Sequence, residues 1–411
     1  MRAFTGHLPG TRAYRRLLAG LFFAGVATFA QLYVTQAVLP FVSDEFDVAP
    51  ATAALTVSAT TLGLAAAVIG WSVVADRIGR VRAMGIGISA ATALGLFAPF
   101  APTFEILLGT RLLEGVALGA VPAIALAYLA EEIDAGHTAS AAGSYIAGTT
   151  IGGLLGRLIA GPFGDLGQWR GGLFAVAAVC AVSATLFLRL VPPPRGFSTA
   201  PMRGLGRRLA ANLRDPRQRV LYAQGLLLMG GFVAVYNYLG FRLAGEPFGL
   251  PLWIVSLLFL AYLSGTLVSP WAGRLASRHG RLPVLLASLG LTAGGILLTL
   301  VESLLPVIVG LLLFTAGFFA AHVVISGWAP AIARPDGRAQ AASLYYLAYY
   351  GGSSLFGWAL GVPFAAMGWT GMALGVLVMI VLAAALAVPL RADAGRGTSL
   401  RGGRRRATVE P

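Results

Sequence analysis

The residues of this sequence that could transfer a proton or bind a charged group are ionisable residues inside long apolar runs. Arg111, Glu114 and Arg157 are the only charged residues that lie well inside those runs. Arg111 and Glu114 are three residues apart, so on a helix they share one face. A charge in lipid is costly unless it is paired, which predicts a cluster of the three. Glu114 is the only acid among them, and a lone intramembrane acid is the expected carrier of a proton.

Two interpretations of Glu114 stay open at this point. The two arginines would hold the carboxylate in its charged form, so proton transfer would require a state that separates them from it. The alternative is a permanent structural ion pair. His322 is a second titratable candidate, although a lone histidine in an apolar run also fits a hydrogen-bonded packing role. The sequence has no metal-ligand spacing, phosphate-binding loop or nucleophile motif, so we expect no metal, no cofactor and no enzymatic activity.

A set of aromatic and amide side chains also lies in the middle of apolar runs. An aromatic cavity with little charge would suit a neutral or cationic amphiphile, or a sugar. Packing between helices is the alternative for part of this set. The predicted cavity residues are Gln31, Tyr33, Gln36, Tyr145, Tyr236, Asn237, Tyr238, Tyr345 and Tyr349.

The composition is that of a polytopic membrane protein, and the elements that carry these residues are predicted membrane-spanning helices. Hydrophobic residues make up 57% of the chain and charged residues 11%, against about 25% charged in a soluble domain. Spans of about 20 apolar residues without strict alternation predict α-helices rather than strands. The twelve predicted spans are 17–41, 52–75, 83–101, 106–130, 140–163, 171–191, 219–243, 251–272, 283–302, 306–332, 340–366 and 370–390.

The placement of the basic residues predicts the orientation of the spans. The net charge is +14, but the arginines cluster in the tails and in the loops after even-numbered spans. This pattern predicts that both termini are cytoplasmic, and it argues against a nucleic-acid partner. One loop on the same side, with Glu131, Glu132 and Asp134, is acidic.

An internal repeat divides the chain into two similar halves. The basic turn at Ser72–Arg82 recurs in altered form at Gly273–Leu282, 201 residues later. Parallel repeats in a membrane protein are typical of transporters, with a substrate site between the halves. The predicted organisation is a cytoplasmic tail (1–16), a six-helix half (17–191), a cytoplasmic linker (192–218) with an amphipathic segment near 205–213, a second half (219–390) and a disordered tail (391–411).

These motifs resemble those of the major facilitator superfamily over residues 14–390. The loop motif Gly-x-x-x-Asp-Arg-x-Gly-Arg is matched except at Ser72, which replaces the first glycine, and Arg111-x-x-x-Gly115-x-x-x-Gly119 matches a second motif. The glycine-rich span 5, which ends in Gly161-Pro162, looks like that of the drug:proton antiporter and sugar-efflux branch. The resemblance implies a conformational latch in which Asp76 caps the start of span 11. The latch residues are Asp76, Arg77, Gly79, Arg80, Arg278, Gly280 and Arg281.

The predicted function is therefore secondary active transport in a bacterial inner membrane. Proton-coupled efflux of small molecules by a monomeric protein is the main hypothesis, and its partners are the substrate, protons and the lipid bilayer. An uncoupled or importing carrier is one alternative. A membrane sensor or assembly factor built on a transporter fold is an alternative of another class.

Overall fold

A computed structural model describes residues 6–134, 136–196 and 204–390, and within them the protein is almost entirely helical. The tail 391–411, predicted to be disordered, lies outside the described residues, as do 1–5 and the linker residues 197–203. The helices are α1 (Arg12–Leu32), α2 (Leu39–Glu45), α3 (Pro50–Ile78), α4 (Arg80–Phe97), α5 (Phe104–Leu118), α6 (Ala120–Glu132), α7 (Thr138–Asp165), α8 (Trp169–Leu190), α9 (Leu205–Arg214), α10 (Pro216–Ala244), α11 (Leu252–Leu257), α12 (Tyr262–His279), α13 (Arg281–Leu298), α14 (Leu304–Ile332), α15 (Arg338–Ala359) and α16 (Gly361–Ala387).

The predicted all-α fold with twelve spans is confirmed. In the described part of the chain, ten helical segments are long and apolar enough to cross a membrane, and they correspond to predicted spans 2 to 10 and 12. The predicted spans 1 and 11 are also helical but carry more polar side chains. The turn predicted between spans 11 and 12 lies where Met367 and Gly368 interrupt α16 with non-helical dihedral angles.

Predicted spans 1, 4, 8 and 11 are each broken in the described structure, span 11 at Leu360 between α15 and α16, which corrects the sequence prediction. Span 1 stops at Leu32, and a 3-10 turn at Val34–Ala37 leads into α2. Span 8 contains a 3-10 turn at Leu258–Ala261, and Gly119 separates α5 from α6 in span 4. A broken helix in lipid leaves backbone groups that need another partner. In span 1 that partner is the side chain of Arg111.

The chain forms two compact units, and the first contains most of the candidate site. In this unit glycines of α7 allow close packing on α1: a Cβ on Gly152 would lie 2.6 Å from the carbonyl oxygen of Val26, and one on Gly156 would overlap that of Ala30. The glycine-rich span 5 therefore serves helix packing. The described residues of this unit are 6–134, 136–196, 233–260 and 350–372.

The second unit is built around α12, α13 and α14. Its core includes Phe232, whose ring stacks on that of Phe318 with centroids 3.9 Å apart. The amphipathic segment predicted in the linker forms α9, and Asn212 ties this helix to the unit by donating to the carbonyl oxygen of Gly337 at 3.0 Å. The described residues of this unit are 204–232, 261–349 and 373–390.

Candidate functional site

Glu114 and Arg111 form a fully buried ion pair on α5. Their side chains are 0% and 1% exposed, and Arg111 Nη1 lies 2.5 Å from Glu114 Oε2. Arg111 Nη2 also donates to the carbonyl oxygens of Gln31 (2.8 Å) and Leu32 (3.2 Å), where α1 ends. The last carbonyls of a helix lack partners within it and carry partial negative charge. The guanidinium group therefore joins the only acid of the cluster to the break in span 1.

The second oxygen of Glu114 faces the amide of Gln31. When the amide of Gln31 is oriented with its nitrogen towards Glu114, it donates to Glu114 Oε1 at 2.7 Å and to the carbonyl oxygen of Ala91 at 2.9 Å. Gly95 makes room for this contact, since a Cβ there would overlap the Gln31 amide. The predicted cavity residue Gln31 thus lies against the predicted proton carrier, which the sequence did not indicate.

Arg157, the third buried charge, lies on α7 among polar and aromatic groups of the first unit. Its Nε donates to Gln36 Oε1 at 2.8 Å, and Nη1 donates to the carbonyl oxygen of Gly153 at 2.7 Å. Its guanidinium carbon is 4.8 Å from the ring centroids of both Tyr33 and Phe259, a distance that allows cation–π attraction. Two predicted cavity residues therefore contact a predicted coupling residue, and the direct pairing of Arg157 with Glu114 stays a prediction.

A hydrogen-bonded series links Arg157 to α10. Gln36 Nε2 donates to Asn237 Oδ1 at 2.7 Å, and Asn237 Nδ2 donates to the carbonyl oxygen of Gly357 at 3.0 Å. Tyr238 donates to the same carbonyl at 3.2 Å. These residues are buried, so each bond replaces one that water would otherwise make. Gln36 and Asn237, which occupy matching positions of the two halves 201 residues apart, are thus in direct contact.

The remaining candidate residues are buried or half-buried within their units. Tyr236 stacks on Phe259 with centroids 5.3 Å apart, and Tyr145 is 6% exposed. In the second unit, His322 Nδ1 lies 2.8 Å from the hydroxyl oxygen of Tyr345, and its ring is 4.8 Å from that of Tyr349. The sequence assigned His322 to coupling and the two tyrosines to a cavity, but these three side chains form one group.

The basic turn after α3 forms a three-residue charge network. Arg80 Nη1 is 2.5 Å from Asp76 Oδ1, and Arg80 Nη2 is 2.9 Å from Glu131 Oε1. Glu131 lies in the last turn of α6, although the sequence predicted a loop at this position. An acid among arginines on the same membrane side is the signal that could have revealed this contact. Arg80 is buried in this network, while Gly79 takes φ = +95°, a value that favours glycine.

The second copy of the turn has the same backbone but different side-chain contacts. Gly280 repeats the positive φ at +91°. Arg281 lies over the ring of Trp328 with its guanidinium carbon 6.0 Å from the centroid, and Ser277 donates to the carbonyl oxygen of Gly273. The predicted Asp76 contact with the start of span 11 stays a prediction.

Removing one member of the Arg111–Glu114 pair should destabilise the protein more than removing both. Arg111→Met leaves a buried carboxyl group without its cation, and breaking a buried pair costs about 3–5 kcal/mol. We expect the double variant Arg111→Met/Glu114→Gln to recover part of that loss. Apparent thermal stability of the four proteins in detergent measures the coupling energy. If the two substitutions lowered stability additively, the Arg111–Glu114 pair would be contradicted. The same cycle with Arg157 in place of Arg111 tests the predicted pairing of Arg157 with Glu114.

The chain is a polytopic membrane protein of the secondary-transporter class. Its repeated halves, its twelve helical spans and its buried charge cluster beside a broken helix are together typical of that class. The chain belongs to the major facilitator superfamily, because the Major Facilitator Superfamily profile matches residues 21–268. The protein is therefore a membrane transporter and not an enzyme, as the sequence predicted.

Full-length relatives agree with this assignment. Inner membrane transport protein YnfM of Escherichia coli (strain K12) is 40% identical over 377 residues, which are 91% of this chain and 90% of that protein. An MFS-type transporter of Bacillus subtilis (strain 168), YybF, is 35% identical over 91% of this chain and 93% of its own length. A crystal structure of a bacterial homologue of the human lysosomal transporter Spinster, inward-facing and occupied, has a similar fold, with a TM-score of 0.75, 17% identity and coverage of 94% and 98% of the two chains.

Proposed function

We propose that the protein is a proton-coupled exporter of small molecules, either drug-like amphiphiles or sugars, that works by alternating access. The observation that carries the proposal is Glu114: it is fully buried, it is the only acid well inside the spans, and Arg111 and Gln31 contact its two oxygens. A carboxyl group in this position changes the charge of the membrane interior when it gains a proton.

The contacts of Arg111 suggest how protonation is coupled to movement. In the charged state, Glu114 holds Arg111 on α5 while Arg111 holds the last carbonyls of α1. Protonation leaves the carbonyl contacts of Arg111 in place, but it weakens the charge-assisted bond that the amide of Gln31 on α1 donates to Glu114. One of the two ties between α5 and α1 therefore becomes weaker. We propose that this change favours one side of the alternating-access equilibrium.

The substrate is proposed to bind near the amide and aromatic residues of the first unit. His322, Tyr345 and Tyr349, which form one group within the second unit, are a separate set of candidates. Tyr33, Gln36 and Asn237 surround Arg157 or extend its hydrogen-bonded series. We further propose that the protein is a monomer in the bacterial inner membrane with both termini cytoplasmic. The arginine distribution and the inner-membrane name of the relative YnfM support this placement.

Transport by the purified protein in proteoliposomes tests the proposal. With an imposed pH gradient of either direction and a panel of drugs and sugars, the protein should move substrate only when protons move in the opposite direction. Transport that runs equally well without a gradient would favour the uncoupled carrier, and proton and substrate entering together would favour the importer. No transport across the panel, with a folded protein, would favour a non-transporting role.

Asp76→Asn should shift the equilibrium towards the inward-open state. The proposed contact with the start of span 11 is a charge–dipole interaction, typically about 0.3–2 kcal/mol, which changes a population severalfold without unfolding the protein. Arg80 would keep Glu131 as its partner. Cysteine probes on the cytoplasmic side should label faster in this variant. Ser277→Asn, at the matching position of the second turn, removes no charge and should change little; equal effects at both positions would contradict the asymmetric latch.

A further inference from the structure

Asp165 makes a contact that none of the functional motifs includes. It is the last residue of α7, and its two carboxylate oxygens accept hydrogen bonds from the first backbone N–H groups of α11. Oδ1 accepts from Leu252 N–H at 2.9 Å, and Oδ2 accepts from Trp253 N–H at 2.6 Å. The donors are 87 and 88 positions away in the sequence, so the contact joins span 5 of the first half to span 8 of the second.

The chemistry of this contact is that of an anion at a helix N-terminus. The first N–H groups of a helix have no partner within it, and the helix dipole adds positive charge at that end. Leu252 and Trp253 are the first two residues of α11, and a 3-10 turn at Leu258–Ala261 leads from α11 into α12, so Asp165 caps the start of span 8. A carboxylate that engages two successive N–H groups is held more firmly than one with a single bond.

α7 and α11 also pack closely beside Asp165. A Cβ on Gly161, one turn before Asp165 on α7, would lie 2.6 Å from Ser256 Cβ. Ser256 is one turn beyond the capped N–H groups and is 2% exposed. Separation of α7 from α11 would therefore expose Ser256 and break both bonds to Asp165 in one movement.

We propose that Asp165 is the latch of the outer side of the transporter. The inference rests on the proposed alternating access, in which the two halves rock about a central site, so that spans 5 and 8 must separate on the outer side when it opens. Asp165 then stabilises the state in which the outer side is closed. Asp76 is proposed to use the same chemistry on the cytoplasmic side. Loss of the two acids should therefore shift the equilibrium in opposite directions.

Ser256→Cys provides a reporter of this junction. Cys180 is the only cysteine of the chain, so Cys180→Ala gives a background in which the reporter is the sole thiol. We expect Asp165→Asn to raise the maleimide labelling rate of the reporter about threefold to tenfold, because the charge and one of the two bonds are lost. Asp76→Asn should leave the rate unchanged or lower it. Asp165→Glu keeps the charge and should restore part of the protection.

Salt and a matched acid separate a latch from a general structural role. Asp44→Asn removes an exposed acid on the same side that makes no such contact with α11 in the described structure, and it should not change the labelling rate. Salt screens a charge–dipole contact, so the labelling rate should rise with salt concentration when Asp165 is present and much less in the Asp165→Asn variant. Equal labelling of the parent and Asp165→Asn, or the same shift with Asp76→Asn, would overturn the proposal. Labelling requires neither substrate nor protons, so this result is independent of the proposed coupling.

Discussion

Glu114→Gln is expected to abolish the dependence of transport on the pH gradient. Glutamine keeps the size of the side chain and can accept a hydrogen bond from Arg111, but it cannot gain or lose a proton. Substrate binding should persist, because Tyr33, Gln36 and Arg157 contact one another without Glu114. Accumulation driven by an imposed pH gradient in proteoliposomes should fall to the level of vesicles without a gradient, while exchange of substrate down its own gradient continues.

The control for this experiment is Glu105→Gln. Glu105 lies in the first turn of the same helix and is exposed, so its loss leaves the buried pair intact and should not change coupling. Proton movement with substrate at the parent stoichiometry in Glu114→Gln would show that Glu114 is not the carrier. The Arg111–Glu114 pair would then be a structural tie between α5 and the end of α1.

Gly115→Ala should be among the most destabilising single-methyl changes in this protein. A Cβ on Gly115 would overlap the carbonyl oxygen of Thr60, and one on Gly63 of the facing helix would overlap that of Leu112. Both contacts are to backbone, so α3 and α5 must move apart to admit a methyl group, and overpacking typically costs about 1–3 kcal/mol. The measurement is the apparent melting temperature of the purified protein in detergent, together with the amount of folded protein.

Gly109→Ala is the matched control on the same helix. A Cβ on Gly109 has nothing within 4 Å, so the change adds helix propensity without overlap. Its stability should be unchanged or slightly higher than that of the parent protein. An equal loss of stability in Gly115→Ala and Gly109→Ala would contradict this explanation. The close approach of α3 and α5 would then not account for the glycine at position 115.

The sequence indicates which charged residues are buried, but only some of the residues that contact them. The three-residue spacing of Arg111 and Glu114 predicts contact because a helix fixes which positions share a face. The partner of Arg157 could not be found in this way. Gln36 lies 121 positions away, on a stretch of 3-10 helix that the apolar pattern predicted as continuous α-helix. Glu131, the second partner of Arg80, lies 51 positions away at the end of α6, and only its place among arginines on the same membrane side indicated a contact.

The class of protein follows from the sequence, because scarce charge, twelve apolar runs and a repeated basic turn are together typical of a helical membrane transporter. Which polar groups of different helices meet follows from the tertiary structure alone. Most faces of a span are apolar, so composition does not fix how each helix is rotated or where it breaks. The break after Leu32 that receives Arg111, and the end of α7 that sets Asp165 on α11, follow from the packing of whole helices.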